Sequence, residues 1–302
     1  MEKTYYRNGK LLITGEYLVL DGAKSLALPT KFGQYLNISS GSLGQIHWTS
    51  FDYDQSLWFK ESISFKEIIN FNRMDDLSER ETLISILHEA HLLNPGFLKL
   101  SIGYTASTVL TFPKEWGLGT SSTLINNIAQ WFEVDAFMLL KNSFGGSGYD
   151  IACAQNNTAI VYWLETGLPK VEKVNFNPNF TDLIYFVYLN KKQSSKKAIQ
   201  NYYKKKGLTT DYSIINNLTT AILNSSSIEE FSNLIEKHEE IMCPIIELPT
   251  VKDTLFSDFN GSIKSLGAWG GDFILAVSKE NPTFYFENKG YKTIIPFRDM
   301  IL

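Results

Sequence analysis

The first half of the chain contains several short runs in which apolar residues dominate or alternate with polar ones. Residues 10–14 and 17–20 are apolar runs on either side of a glycine, and residues 33–39 and 45–50 alternate apolar and polar positions. Alternation with a period of two is typical of half-buried strands. The turn-forming sequence SGSLG lies between the second pair of runs, which predicts a β-hairpin there.

Apolar residues recur at helical spacing in four segments, which predicts four amphipathic helices. Ser78 with Glu81 and Ser227 with Glu230 have the spacing of a capping box, which favours helix starts at these serines. His238 falls on an apolar stripe, where a hydrogen-bonded core histidine is a more ordinary interpretation than a catalytic one. The predicted stripes are Leu83, Ile86, Leu87 and Ala90; Leu124, Ile128, Trp131 and Phe132; Ile214, Leu218 and Ile222; and Phe231, Leu234, Ile235 and His238.

Further apolar runs predict strands at residues 98–112, 159–164 and 183–189. Between the last two lies ETGLPKVEKVNFNPNFTD, a polar and turn-rich segment that is the best candidate for a domain boundary. The sequence therefore predicts an N-terminal domain of residues 1–175 and a C-terminal domain of residues 176–302.

Composition narrows the class of protein. The 302 residues are 44% hydrophobic, 14% aromatic and 20% charged, which is typical of a soluble globular protein with a substantial core and not of a disordered chain. The net charge of −4 gives no basic excess that would favour nucleic acid or a membrane surface as a partner. The two cysteines, Cys153 and Cys243, and the lack of a signal-peptide or membrane-spanning run favour a reducing, cytoplasmic location.

The sequence GLGTSST at residues 117–123 opens one of the predicted helices and carries the first candidate chemistry. Backbone N–H groups at a helix start have no intrahelical acceptor, and glycines before them let a phosphate approach closely. The hydroxyls of Thr120, Ser121 and Ser122 could add hydrogen bonds or ligate Mg²⁺. No lysine follows the glycines, so this is not a Walker A loop. The alternative is an ordinary helix with a Ser/Thr cap after a glycine turn.

Two more glycine-rich turns and a basic run could also carry function. In GGSGYD, Asp150 could accept or orient a hydroxyl proton, or it could simply cap a helix. In GAWGGDF, Gly267, Gly270 and Gly271 allow a tight turn, which could equally be an ordinary β-turn beside a packed Trp269. The basic run could gather an anionic substrate or form a solvated face. Its lysines are Lys191, Lys192, Lys196, Lys197, Lys204, Lys205 and Lys206.

The order of the motifs is more specific than any one of them. GKLLITGEYLVLDGAKSLALPT near the N-terminus, PKEWGLGTSST in the middle, GSGYDIA after it and GAWGGDFILAV near the C-terminus resemble the successive motifs of the GHMP kinases. That superfamily includes galactokinase, homoserine kinase, mevalonate kinase and phosphomevalonate kinase. The resemblance runs from Gly9 to Val277. It implies a two-domain α+β fold, with a ribosomal-protein-like N-terminal domain and a ferredoxin-like C-terminal domain.

The resemblance also implies roles for individual residues. ATP would place its phosphates over residues 117–122, with Mg²⁺ ligated by Ser121. Asp150 would be the catalytic aspartate, and Lys10 would lie near the transferred phosphoryl group or the acceptor. Such an arrangement agrees with phosphoryl transfer, which depends mostly on positioning and charge stabilisation. The implied phosphate-binding residues are Gly117, Leu118, Gly119, Thr120, Ser121 and Ser122, and the implied substrate-binding residues are Glu16, Ser147, Gly148, Lys192, Ser195, Lys197, Gly270 and Gly271.

Within the superfamily, the details of the motifs resemble mevalonate and phosphomevalonate kinases. LLITGEYLVLDGA looks like their opening motif, and GGD in the third motif looks like that of phosphomevalonate kinases. The implied reaction is ATP-dependent phosphorylation of phosphomevalonate or mevalonate, by a monomer or a homodimer. A phosphate acceptor is already largely ionised near neutral pH, so it needs cations such as the lysines of NKKQSSKK more than a strong base.

One departure from the family pattern leaves alternatives open. Mevalonate kinases place a Mg²⁺-binding glutamate shortly before the aspartate, whereas FMLLKNSF here contains no acid. Either another group completes the metal site or the nucleotide itself holds Mg²⁺. The alternatives to a kinase are a mevalonate diphosphate decarboxylase, which has the same fold and consumes ATP, and a non-catalytic protein that binds a nucleotide or a metabolite.

Overall fold

Groups of consecutive strands and groups of consecutive helices follow one another along the chain, which confirms the α+β class. The strands are β1 (Lys3–Leu12), β2 (Ser25–Ser40), β3 (Gln45–Phe51), β4 (Leu57–Ser64), β5 (Tyr104–Leu110), β6 (Ile160–Glu165), β7 (Leu168–Lys173), β8 (Ile184–Tyr188), β9 (Ser262–Ser265), β10 (Phe273–Val277) and β11 (Ile294–Pro296). The α-helices are α1 (Phe65–Ile69), α2 (Glu79–Leu93), α3 (Gly96–Lys99), α4 (Thr120–Phe132), α5 (Ala136–Ser143), α6 (Tyr149–Ala154), α7 (Ser195–Lys205), α8 (Ser213–Leu223), α9 (Ile228–Ile246), α10 (Val251–Leu255), α11 (Thr283–Asn288) and α12 (Phe297–Met300). Short 3₁₀ helices lie at Leu18–Asp21, Lys114–Trp116 and Thr181–Leu183.

The computed structural model covers most of the chain. At residues 195–197 and 205 it gives the backbone alone. None of the helices that it describes is long and apolar enough to cross a membrane. The described residues are 2–72, 77–99, 102–193, 195–205 and 212–302.

The strands form two sheets. One has seven strands in the order β4-β3-β5-β2-β6-β7, with β1 beside β2, and the other has four strands in the order β11-β8-β10-β9. The hairpin predicted between residues 33–39 and 45–50 is wrong, because β5 lies between β2 and β3. β5 pairs antiparallel with β2, at Ile38↔Ala106, and parallel with β3, at Trp48↔Ala106. Buried positions alternate along β3 and β5, so one face of this long-range pairing brings its residues into the core. Local turn chemistry does not reveal such a pairing.

The strand predicted at residues 17–20 is also wrong. Gly15 and Tyr17 adopt left-handed backbone conformations, with φ of 78° and 62°, so the chain turns there. The Val19 N–H donates to the Gly15 carbonyl at 2.9 Å, and the Leu20 N–H donates to the Tyr17 carbonyl at 2.9 Å. These local hydrogen bonds shape the first 3₁₀ helix, in which Leu18 and Val19 are buried without belonging to a sheet.

By packing, the chain divides into two compact units, and neither is one continuous segment. The first unit comprises Met1–Gly9, Phe32–Lys114 and Leu118–Gln155. Its core packs helices α2, α4 and α5 against strands, with Trp48, Leu87, Ile128, Trp131 and Phe132 buried in one cluster. The capping box predicted for α2 is confirmed, since Ser78 N–H donates to Glu81 Oε2 at 2.9 Å and Glu81 N–H to Ser78 Oγ at 3.3 Å.

The second unit comprises Lys10–Lys31, Glu115–Gly117 and Asn156–Leu302. It contains the four-stranded antiparallel sheet and helices α7 to α12. Of the stripe predicted for α8, Leu218 and Ile222 are buried, whereas Ile214 is 51% exposed and the neighbouring Ile215 is buried in its place. These two units are defined by packing, so they do not test the predicted domains, residues 1–175 and 176–302. The domain boundary stays a prediction.

The start of α9 differs from the predicted capping box. The Ser227 hydroxyl accepts the Glu230 N–H at 3.2 Å, as predicted. The Glu230 carboxylate, however, accepts the N–H of Ser226 at 2.9 Å instead of that of Ser227. The reciprocal half of the box is therefore shifted by one residue, because the chain entering the helix brings Ser226 within reach of the carboxylate.

Candidate functional site

Helix α4 begins directly after the glycine-rich turn, in a form suited to an anion. Gly119, the residue before the helix, has a φ of 97°, a conformation that favours glycine. No side chain among the described residues caps this helix start. The N–H groups of residues 120–122 have no acceptor within the helix, because its first turn lacks preceding carbonyls. They leave a set of donors at the positive end of the helix dipole.

The hydroxyls of this first turn point in different directions. Ser122 is buried, and its hydroxyl donates back to the Gly119 carbonyl at 2.9 Å. Thr123 donates to Gln34 Oε1 at 2.8 Å, which fixes the helix against β2. Ser121 is exposed, so its hydroxyl is the one of the two serines that faces solvent. Leu118 has no exposed surface and anchors the loop in the core.

Asp150 lies in the first turn of α6, a short helix held against α4. Its Oδ1 accepts the N–H of Ile151 at 3.1 Å. Asn126, on α4, donates to the Ile151 carbonyl at 3.3 Å and accepts from Gln155 Nε2 at 2.9 Å. Gly148 precedes the helix with a φ of 87°. The buried amide of Asn126 therefore fixes the position of the Asp150 helix relative to α4.

Ser147, which the resemblance places in the substrate site, lies two residues before α6. It is 8% exposed, and its hydroxyl accepts the Tyr149 N–H at 3.5 Å. Its role and that of Gly148 as substrate contacts stay predictions.

In the second unit, Lys10 meets the start of the glycine-rich turn. Its ammonium donates to the Gly117 carbonyl at 3.4 Å. Gly117 has a φ of 70°, and a Cβ added there would lie 2.5 Å from Asp272 Cγ. The Asp272 carboxylate thus packs directly on the Cα of Gly117. Any larger residue at 117 would displace it.

Asp272 is the acid of the third motif, and its surroundings hold it tightly. Its Oδ1 accepts the Gln193 N–H at 3.1 Å, and its own N–H donates to the Lys191 carbonyl at 2.7 Å. Burial raises the pKa of its carboxyl, while the Gln193 hydrogen bond and the charges of Lys10 and Lys192 oppose that rise. Asp272 is therefore a constrained, half-buried acid beside the first glycine of the loop.

Gly270 and Gly271 place the third motif against the same segment. A Cβ added at Gly271 would lie 2.5 Å from Gln193 Cγ and 2.6 Å from the Lys191 carbonyl oxygen. Gly270 has a φ of 71°. The turn can therefore approach residues 191–193 closely because residue 271 is a glycine, whereas Gly270 is favoured by its backbone conformation.

The remaining predicted ligand contacts are placed differently. Glu16 has no exposed surface and pairs with Lys264 at 2.5 Å. Lys192 is half exposed and lies 3.8 Å from the Glu115 carboxylate. The side chains of Ser195 and Lys197 lie outside the described residues. The roles of all four as substrate contacts stay predictions.

The uncapped helix start and the glycine cradle fit a phosphate group, because they offer N–H donors and close access to the backbone. The described residues offer fewer ligands to Mg²⁺ than to a phosphate. No group of three or more His, Cys, Asp or Glu side chains in the described part of the chain could hold a metal ion. The exposed hydroxyl of Ser121 fits a cation that keeps most of its ligands on the nucleotide and on water.

Two features of the second unit had no predicted role. Asp272 follows two glycines in the motif, but nothing in the sequence places it on Gly117. Lys264 lies within β9 and has no exposed surface. The strand reads SIKS, with a single apolar residue, so the sequence gives no sign that this lysine is buried.

No protein-family model matches the chain, and no curated protein matches it by sequence. Solved structures do match over nearly its full length. The mevalonate kinase of Methanococcus jannaschii is 15% identical with a TM-score of 0.70, covering 98% of this chain and 97% of that one. The phosphomevalonate kinase of Streptococcus pneumoniae, solved with phosphomevalonate and AMPPNP, is 16% identical with a TM-score of 0.67, covering 95% of each chain.

The galactokinase of Lactococcus lactis, solved with galactose, also matches. It is 12% identical with a TM-score of 0.66, covering 95% of this chain and 88% of that one. These similarities concern the fold, and they include kinases of different acceptors. The chain therefore has the α+β fold of the GHMP kinases, in agreement with the order of its motifs.

Proposed function

We propose that the protein is an ATP-dependent kinase of a small molecule and that its acceptor is phosphomevalonate or mevalonate. The observation that carries this proposal is the start of α4, where uncapped N–H groups follow Gly119 in a chain with the fold of GHMP kinases. Such a start binds the phosphates of a nucleotide without any dedicated cation.

The proposed reaction needs few groups. An acceptor oxygen bonds to the γ-phosphorus of ATP, the bond from that phosphorus to the bridging oxygen breaks, and ADP leaves. Lys10 contributes positive charge next to the Gly117 carbonyl. Asp150 accepts the proton when the acceptor is a hydroxyl. Mg²⁺, when bound with the nucleotide, supplies charge neutralisation, and Ser121 is the residue proposed to contact it.

Two observations support a phosphorylated acceptor. One is the similarity to a phosphomevalonate kinase solved with its substrate. The other is the half-exposed Lys192, beside the glycine-rich turn of the third motif, where it could meet an anionic group. A phosphate acceptor is mostly ionised at neutral pH, so its transfer step depends on cations more than on a base.

The test is an ADP-release screen with mevalonate, phosphomevalonate, mevalonate diphosphate, homoserine and galactose as acceptors. We expect turnover with one of the first two. With mevalonate, whose hydroxyl must lose a proton, Asp150→Asn should lower turnover by about 100-fold or more. With phosphomevalonate the loss should be smaller, because the phosphate is already ionised. Asp135→Asn is the matched control, because Asp135 caps α5 in the same unit by accepting the Met138 N–H at 2.8 Å.

The same screen separates the alternatives. Release of CO₂ from mevalonate diphosphate would identify a decarboxylase instead of a kinase. ATP binding by calorimetry without turnover of any acceptor would identify a non-catalytic nucleotide-binding protein. Turnover with galactose or homoserine alone would retain the kinase and reject the proposed acceptor.

A further inference from the structure

The second unit contains a buried cluster of charged groups that the proposed reaction does not use. Lys264 Nζ lies 2.5 Å from Glu16 Oε1 and 3.5 Å from Glu239 Oε1, and it also donates to the Ser265 carbonyl at 3.0 Å. Ser265 Oγ donates to Glu239 Oε2 at 2.8 Å. Lys264 and Glu16 are 0% exposed and Glu239 is 3% exposed. The cluster thus holds one cation and two carboxyl groups without contact to solvent.

A histidine of α9 completes the cluster. His238 Nε2 accepts the Gly15 N–H at 3.1 Å, so the ring proton lies on Nδ1. The same Nε2 lies 3.5 Å from Glu16 Oε2. Burial, and next the charge of Lys264, hold the pKa of His238 well below its usual range, so the ring is neutral. The backbone of the Gly15 turn is therefore attached to α9.

The cluster joins two turns that are far apart in the sequence. Glu16 belongs to the turn at residues 15–17, which follows β1, the strand that contains Lys10. Lys264 ends β9 with Ser265 and opens the turn at residues 266–272, which ends at Asp272. A direct hydrogen bond also joins the turns, from the Tyr17 hydroxyl to the Ala268 carbonyl at 2.9 Å.

The shape of the turn at residues 266–272 depends on its surroundings. Trp269 and Asp272 adopt left-handed conformations with φ of 53° and 51°, which non-glycine residues rarely adopt. Such conformations persist only where surrounding structure imposes them. The ion pair restrains the start of the turn, and the Tyr17–Ala268 hydrogen bond and the buried Trp269 restrain its middle. At its end, Asp272 packs on Gly117 and hydrogen-bonds to residues 191 and 193.

We propose that Lys264 is a positioning residue: through Glu16, Glu239 and the Ser265 carbonyl, it fixes the turn at residues 15–17 and the turn at residues 266–272 to each other. It thereby holds Asp272 against Gly117, at the start of the proposed phosphate-binding loop. The part of this inference that concerns turnover rests on the proposed kinase function. The part that concerns the two turns does not.

The test uses Glu16→Gln in the full chain. The glutamine oxygen still accepts from Lys264, so the fold is kept while the charge attraction is removed. Lys264→Met leaves two buried carboxyl groups without their cation and is expected to unfold the unit, so it is not the decisive variant. Lys252→Met is the control, because it breaks a partly exposed ion pair of the same unit, Lys252 with Glu236 at 2.8 Å.

We expect hydrogen exchange of the amides at residues 13–19 and 266–272 to accelerate about 10-fold in Glu16→Gln, with residues 283–296 unchanged. We expect kcat to fall by about 10-fold while KM for ATP stays within about two-fold, because the amides at the start of α4 are intact.

Exchange that is unchanged in both turns, or that rises equally across the unit or in Lys252→Met, overturns the proposal. A wild-type protein without turnover on any acceptor refutes the kinase function alone, since the exchange result does not depend on it.

Discussion

Gly117 and Asp272 both adopt left-handed backbone conformations, and they pack against each other. Gly117 has a φ of 70° and Asp272 a φ of 51°, and the carboxylate of the second occupies the space of a Cβ on the first. Glycine at 117 is required twice, for its backbone conformation and for the absent side chain. The shape of the loop therefore depends on Gly117, although this residue lies three residues before the start of α4.

We expect Gly117→Ala to lower the free energy of unfolding by about 2–4 kcal/mol, because it combines backbone strain with a clash against Asp272. Gly290→Ala is the matched control. Gly290 lies in the same unit with a φ of 89°, but nothing lies within 4 Å of an added Cβ, so only the strain of about 1 kcal/mol applies. Urea unfolding measures both. If both variants lose the same free energy of unfolding, Asp272 moves away from the new Cβ without lowering stability, and the predicted clash is refuted.

Glu16 should make stability depend on pH. Burial raises the pKa of its carboxyl from 4.5 to about 7, although Lys264 opposes the rise. A raised folded-state pKa means that its contribution is fully present below the unfolded pKa and is lost as pH rises through the folded one. Relative to Glu16→Gln, the wild type should therefore lose on the order of 1–3 kcal/mol between about pH 4.5 and about pH 8.

Urea unfolding of both proteins across this range measures the effect, and residues common to both cancel in the difference. Glu236→Gln is the control, since this carboxylate is partly exposed beside Lys252. A wild-type curve parallel to that of Glu16→Gln would contradict the raised pKa.

At the scale of elements, two neighbouring buried amides attach α4 to two different elements, α6 and β2. Asn126 joins it to α6, through the Ile151 carbonyl and Gln155. Asn127, the next residue, joins it to β2 by donating to the Gln34 carbonyl at 2.9 Å. Both amides are buried, at 2% and 0% exposure. Only the first attachment leads to the helix of Asp150.

Asn126→Ala and Asn127→Ala should therefore have similar effects on stability and different effects on turnover. Each removes a buried hydrogen-bonding amide, so we expect a loss of about 1–3 kcal/mol in urea unfolding for both. Only Asn126→Ala should lower kcat, by about 10-fold, because it frees α6 and with it Asp150. An equal loss of kcat in both variants would assign the effect to general loosening of α4.

At the scale of the whole molecule, the sequence predicts features that depend on neighbouring residues, but it does not predict those that depend on residues far apart in the chain. The Ser78 capping box, the α4 stripe and the glycine turn before β10 depend on neighbours in sequence, and the structure has them. The position of β5 between β2 and β3 depends on residues more than 50 apart, and the turn SGSLG gave a misleading local signal. The Lys264–Glu16 pair joins residues 248 apart, so no local pattern indicates it.

The same limit applies to the metal. The motifs imply Mg²⁺ at Ser121, while the described residues contain no group of three or more His, Cys, Asp or Glu side chains that could hold a metal ion. If the nucleotide carries the cation, Mg²⁺ alone should leave the unfolding temperature unchanged. ATP with Mg²⁺ should raise it by roughly 3–5 °C at about 100 times the dissociation constant, because a ligand that binds only the folded chain stabilises it by mass action.

Thermal unfolding with Mg²⁺, with ATP and EDTA, and with both ligands measures this coupling. EDTA should reduce the ATP shift, because without Mg²⁺ only the amides at the start of α4 offset the charge of the triphosphate. Ser121→Ala should reduce the shift with Mg²⁺ and ATP but not the shift with ATP and EDTA. Thr120→Val, at the neighbouring half-buried position, is the control. A rise of the unfolding temperature with Mg²⁺ alone would require a metal site in the free protein, and it would refute the view that the nucleotide brings the ion.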